Sequence, residues 1–396
     1  MRIVTLTICI CLFAIIANAQ TSPIMVCNAP GTTCAPYFNL DTAIAHATNG
    51  DYIYLPGGNY TISDTIKKEL HIYGTGIVAD SSLYIGGVTT INSNLVFSPL
   101  SSNSSISGII TNNITLDAPS NSLSFTLTRC NANEVFLNIL SGSVLIKQNL
   151  FSTGIRGNNA LNSNVLISNN IFASNLNPNG GITSNTVAVY CYNQTFNYFG
   201  ASLGFINGAT LKNNVIFPYQ YAYGGWSECS YNGDCAGQFN FRIICYTDMQ
   251  NCIFKNNIFK TYNGVTGVAS TNNIFNNNLI TPSGYLGFQP NVTFAGASSQ
   301  SFTLIDTSVN HAFDSLLNCD NGNQVGMANQ FKLQLKTTSL GHNAGDDGTD
   351  VGIFGGTSPW KAGAIPSNPH IYYKLINGTT NTNGDLPVNI KARGEN

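Results

Sequence analysis

From about Leu83 to Phe294 the chain alternates short apolar runs with polar turns rich in Asn, Ser and Gly. Leu95-Val96-Phe97, Val144-Leu145-Ile146 and Val165-Leu166-Ile167 are typical runs. Runs this short, enriched in β-branched residues and bounded by turn formers, predict strands rather than helices. Many of them open on asparagine. Asn149-Leu150-Phe151, Asn170-Ile171-Phe172, Asn214-Val215-Ile216, Asn257-Ile258-Phe259 and Asn278-Leu279-Ile280 follow one another at gaps of 21, 44, 43 and 21 residues. The long gaps are close to twice the short ones, so the expected unit is about 21 to 22 residues, with two units in each long gap. A period in this range points to a solenoid in which each repeat buries its apolar face on its neighbours.

Three short strands per unit would pair in parallel from coil to coil, climbing about 4.8 Å each time. Asparagines at matching turns would stack as ladders. They also tolerate the left-handed backbone that tight corners demand. Val187 to Gly204 and Phe217 to Tyr246 occupy the places near residues 192 and 235 where the phrase is missing. They are expected to be rungs carrying loops on one face, where solenoids build binding surfaces.

Upstream, Phe38 to Asn49 has helical character, with Leu40, Ile44 and Ala47 on one face and Gly50 as a stop. Strands are expected at Asp51 to Leu55, Tyr60 to Ile62 and Leu70 to Tyr73. Downstream, Phe331 to Leu335 alternates as a strand would, Gly345 to Gly356 is dense in turns, and Val388 to Lys391 is a strand candidate.

The first residues have the form of a secretory signal: Arg2, an apolar run from Ile3 to Ile16, and Ala17-Asn18-Ala19 as a cleavage site. The expected organisation is a signal peptide at 1–19, a lead-in at 20–37, a β-solenoid at 38–356 and a tail at 357–396. An exported chain, extracellular, at the cell surface or in the periplasm, is thus expected, and not one that spans the membrane after cleavage. Only 9% of residues are charged and the formal net charge is −2, which leaves no basic face for nucleic acid. At 43% hydrophobic the chain is not compositionally disordered. Of 11 cysteines, Cys9 and Cys11 leave with the signal. Cys27 with Cys34, and Cys229 with Cys235, are plausible local loops. Cys130, Cys191, Cys245 and Cys252 suit burial as small apolar residues.

The whole pattern resembles secreted bacterial right-handed parallel β-helix proteins of pectin-lyase-like architecture. Asp51 to Tyr60 is similar to an entry rung behind a capping helix. Asn169-Asn170-Ile171-Phe172 and Asn256-Asn257-Ile258-Phe259 are similar to rung turns. Gly348 to Gly356, followed by Ala364 to Ile371, is similar to a closing segment. The resemblance implies an all-β fold: a single right-handed parallel β-helix with an N-terminal cap helix and a C-terminal closing tail. It implies no activity, because this architecture hosts lyases, hydrolases, adhesins and passive surface proteins.

Candidate chemistry is sparse. A lyase needs a base near a uronate, with Ca²⁺ or Arg to neutralise the carboxylate. No two basic residues in the rungs have a spacing that aligns them on neighbouring coils beside paired acids; Arg242 with Asp234 and Asp248 is the best trio. Asp346-Asp347 lacks the companion elements of a polygalacturonase-like glycosidase. Asp346, Asp347 and Asp350 on a Gly-rich loop could hold Ca²⁺, or could be a turn held by aspartate side chains. Tyr219, Tyr221, Tyr223 and Trp226 alternate as on one side of an extended segment and could stack on sugar rings, or could pack on the solenoid flank. The function expected first is a secreted or surface protein that binds carbohydrate or a surface partner without catalysis. A lyase acting on acidic glycans and a purely structural solenoid are the alternatives.

Overall fold

The computed structural model describes residues 23–29, 32–77, 87–157, 164–172, 198–199, 202–204, 208–216, 219–221, 243–247, 251–261, 266–268, 272–282, 299–301, 304–305, 333–361, 370–376 and 388–393. The signal segment, most of both inserts and the lyase trio lie outside them.

The chain is a right-handed parallel β-helix, the hand that parallel crossovers take. A twelve-stranded sheet begins with Ile24–Cys27 paired antiparallel with both Cys34–Tyr37 and Asp51–Tyr54, and from Asp51–Tyr54 onward the strands stack in parallel. Its inward residues form one file of aliphatic and then aromatic side chains. Ile53, Ile72, Ile106, Leu127, Ile146, Ile167, Leu211, Phe254 and Phe275 are all buried and follow one another in register. The second sheet carries the other side of each coil, through Asn131–Ser141, Leu150–Gly157 and Ile171–Phe172 onward. Coils in this region do not hold three short strands. Asn131–Ser141 alone is an 11-residue strand, and its neighbour Leu150–Gly157 carries an extra residue opposite the step from Ala132 to Glu134.

Helix α1 (Leu40–His46) covers the N-terminal end, as expected. Asn39 caps its start by accepting the Thr42 N–H at 3.0 Å. Lys68 donates to the carbonyls of Ile44, Ala45 and Ala47 at its other end, where a cation complements the helix dipole. Leu40 and Ala43 close over the core. A disulfide joins Cys27 to Cys34 across the antiparallel pair. Cys130 and Cys252 are buried in the core.

The asparagine phrase has a distinct task for each residue. The ladder asparagines 149, 170, 214, 257 and 278 are at most 1% exposed. Each of the first four passes its backbone N–H to the next one's Oδ1, at 2.8, 3.0, 2.9 and 2.9 Å. Each Nδ2 also reaches back to a carbonyl of the preceding coil, as Asn214 does to Ile167 at 2.9 Å. One amide thus satisfies three coils, which is what a buried polar group requires. The preceding residues, Asn169, Asn213, Asn256 and Asn277, turn the corner at φ between 50° and 57°. The last residue, Phe151, Phe172, Ile216 or Phe259, enters the core.

The bonds from Asn170 to Asn214 and from Asn214 to Asn257 correct the repeat arithmetic. Asn170, Asn214 and Asn257 stand on adjacent coils, so each long gap is one enlarged coil and not two units. Leu333 and Leu335, expected on an alternating strand, are buried in irregular chain.

From there the chain returns along the side of the solenoid as a strap. The left-handed corner residues hold it in order. Asn277 donates to Ala344 O, Asn256 to Asp346 Oδ1, Asn213 to Asp350 O, Asn169 to Ile353 O and Gly355 O, and Gln148 to Ser358 O and Pro359 O. Beneath it lie the middle residues of the phrase, Leu150, Ile171, Val215, Ile258 and Leu279, packed against Leu333, Leu335, Val351, Ile353 and Trp360. Gly352 stands at φ +84° with space for no side chain: a Cβ there would lie 2.4 Å from Ile258 Cδ1. A two-stranded antiparallel sheet, His370–Ile376 with Val388–Arg393, follows.

Candidate functional site

The outer face of the first sheet gathers chemistry at its N-terminal half. In Asp51–Tyr54 and Leu70–Tyr73, alternate residues point out because their neighbours Ile53 and Ile72 point in. Register places Tyr52 beside His71 and Tyr54 beside Tyr73. The rings of Tyr52, Tyr54 and Tyr73 lie near-parallel, with centroids 5.6 to 6.4 Å apart and interplanar angles of 7° to 17°. His71 tilts 4.9 Å from Tyr52, and its Nδ1 lies 2.9 Å from Ser105 Oγ. Tyr54 is 39% exposed. Burial pushes the phenols of Tyr54 and Tyr73 above their ordinary value, so both stay neutral and can donate as well as accept.

An open groove of about 270 Å³ continues from Tyr73 across the next coils, lined by Ser105, Ser107, Thr126, Thr128, Arg129, Leu145 and Lys147. The polar lining residues occupy the outward positions of Ser104–Ser107, Phe125–Thr128 and Ser143–Lys147. Arg129 sits at a left-handed corner with its Nε donating to Gln148 Oε1 at 2.8 Å. The site is therefore an aromatic ledge, a hydroxyl-lined trough and two cations. Sequence reasoning missed it. The signal was the alternation in Asp51-Tyr52-Ile53-Tyr54 and Leu70-His71-Ile72-Tyr73, where every second residue is an aromatic or a histidine.

Tyr219 and Tyr221 fall in a strand paired antiparallel with Tyr198–Phe199 and with Ile243–Thr247. Nothing is described of their side chains, and Tyr223 and Trp226 lie outside the described residues.

The three aspartates are resolved into separate roles. Asp346 pairs with Lys255 and accepts from Asn256. Asp347 lies 3.2 Å from Lys212 and accepts from Thr349. Asp350 accepts the Asn343 N–H at 2.9 Å, and His342 Nδ1 approaches it to 2.8 Å at an angle outside hydrogen bonding. Burial would raise Asp346 and Asp347, but donors from Lys255, Asn256 and Thr349 and the lysine charges outweigh it and hold both below the usual carboxylate range. Among the described residues, no group of three His, Cys, Asp or Glu side chains is placed to hold a metal.

One expectation is overturned here. Lys212 and Lys255 stand directly opposite each other on adjacent coils, beside Asp347 and Asp346. Their sequence distance hid the alignment because it includes an insert. Elsewhere, Glu134 pairs with Arg156 at 2.7 Å, and Arg156 lies 4.6 Å above the Phe136 ring. Burial raises the Glu134 carboxyl and Arg156 opposes the rise. That pair belongs to the second sheet, away from the groove.

No described helix is long and apolar enough to cross a membrane. No protein-family model and no curated protein matches the chain. Among solved structures, the crystal structure of pectate lyase Pel9A is similar at 13% identity and a TM-score of 0.31, over 85% of this chain and 93% of that one. A likeness at that level carries nothing about substrate or chemistry.

Proposed function

We propose that this protein binds carbohydrate on the outer face of its first sheet, without catalysis of its own. The carrying observation is the near-parallel set Tyr52, Tyr54 and Tyr73 opening onto the hydroxyl-lined groove. Aromatic planes take the apolar faces of sugar rings, and phenol, serine and threonine groups exchange hydrogen bonds with their hydroxyls. A β-helix holds such groups at fixed spacing, so a glycan meets them with little ordering cost to the protein. Lys147 at the far end suits a glycan that carries acidic groups.

The test is a glycan array with the wild-type protein and the double variant Tyr54→Ala/Tyr73→Ala. Binding lost in the variant, with its circular dichroism unchanged, supports the reading. Equal binding by both proteins places the ligand elsewhere. Incubation with acidic polysaccharides, followed by ultraviolet absorbance, checks the non-catalytic part: an unsaturated product would make the protein a lyase.

A further inference from the structure

The outward row that holds Tyr54 and Tyr73 does not end at the groove. It continues in register through Ser107, Thr128, Lys147, Ser168, Lys212 and Lys255. Strands of a sheet stand about 4.8 Å apart, so this is one straight track along the solenoid axis. Lys147, Lys212 and Lys255 are its cations. Lys212 and Lys255 are each engaged by a carboxylate of the strap, Asp347 and Asp346. Lys147, in the same row, meets no carboxylate among the described residues and lines the groove. The strap reaches the corner beside Lys147 only with Ser358 and Pro359, which offer backbone carbonyls to Gln148 and no negative charge.

We propose that Asp346 and Asp347 set the length of acidic ligand the track accepts. They stand where a ligand's own carboxylates or sulfates would pair with Lys212 and Lys255, and so confine an anionic chain to the Tyr54–Lys147 stretch. The inference rests on the glycan-binding reading. The strap aspartates are specificity-determining residues: they touch the protein's lysines and act by excluding anions from them. Both are partly exposed, as are the lysines, so the pairs are open to competition from solvent.

The experiment compares wild type with Asp346→Asn/Asp347→Asn, the isosteric neutral variant, by calorimetric titration with uronate oligomers and heparin fragments of increasing length. Neutral oligosaccharides of equal length serve as the control. In wild type the affinity for acidic oligomers levels off at short length. In the variant it keeps rising, by about fivefold for the longest, as two released cations add weak exposed pairs. Lys212→Gln/Lys255→Gln added to the variant removes that gain. An unchanged length profile in a folded variant overturns the inference while leaving the glycan reading intact. A gain that appears equally for neutral oligomers overturns the electrostatic basis. Binding of no oligomer by either protein overturns both readings together.

Discussion

The backbone N–H of Asn170 donates to the side-chain oxygen of Asn214 at 3.0 Å, across 44 residues of chain. The bond makes these two residues neighbours on a ladder buried from Asn149 to Asn278. Among the described residues between them, Ile171–Phe172, Ser202–Gly204 and Thr210–Lys212 are strands paired in parallel with neighbouring coils.

Asn214→Ala would strand two groups at once, the Asn170 N–H and the Ile167 carbonyl, while the Asn257 Oδ1 would lose the Asn214 Nδ2 but keep the Asn214 backbone N–H. Buried polar groups left unpaired cost about 1 to 3 kcal/mol each, and adjacent losses are not additive. The expected destabilisation is about 3 kcal/mol, read from the urea midpoint. Asn213→Ala, one position earlier at a corner buried under the strap, loses a bond to Asp350 O and a left-handed preference instead, and should cost about 1 kcal/mol.

The strap should behave as part of the core and not as a loose tail. Trp360 is 4% exposed against the outer aliphatic column. Trp360→Ala should cost about 3 kcal/mol in equilibrium unfolding. Gly352→Ala meets Ile258 and a positive φ together, and a loss of about 2 kcal/mol is expected. If either variant unfolds with the wild-type midpoint, the strap is not held as described.

The pairs of Asp346 and Asp347 fix a pH dependence. Their folded carboxyls titrate below the ordinary 3.8, so the unfolded chain binds protons first on acidification. Their contribution is present above the ordinary carboxylate value and is lost as the pH falls through the depressed folded values. Wild type should therefore lose melting temperature relative to Asp346→Asn/Asp347→Asn on going from pH 6 into the acid range. Two melting curves that stay parallel throughout would deny the pairs a role.

Cys130 gives a probe of the core. Burial pushes its thiol up to about 12, against smaller opposing effects from the backbone of Ile109, Gly108 and Thr128. A buried neutral thiol is inert. Peptide mapping after iodoacetamide at pH 8 should find Cys130 unmodified in native protein and modified in guanidinium. Rapid labelling of the native protein would place it outside the solenoid.

Much of the architecture was legible because its causes are local. Asn-Asn-Ile-Phe states a corner, a ladder amide and two apolar neighbours within four residues, and α1 announces itself by its apolar face and by Gly50. The meaning of the two apolar neighbours was not legible. Phe172 fills the interior while Ile171, beside it, faces outward under the strap. The sequence alone does not say that chain some 180 residues later supplies the cover. The ledge at Tyr52, Tyr54, His71 and Tyr73 was readable in principle from alternation, but the richer aromatic content of the insert drew attention away from it.

Period and side-chain alternation determined the parallel coil, its buried amides and its capped entrance, since these follow from contacts between each residue and its own repeat. Coil count across the inserts, the alignment of Lys212 with Lys255, and the strap that meets them were decided by the tertiary structure. Those depend on which distant segments come to lie side by side, and a coil can lengthen on one face without disturbing the spacing of its core.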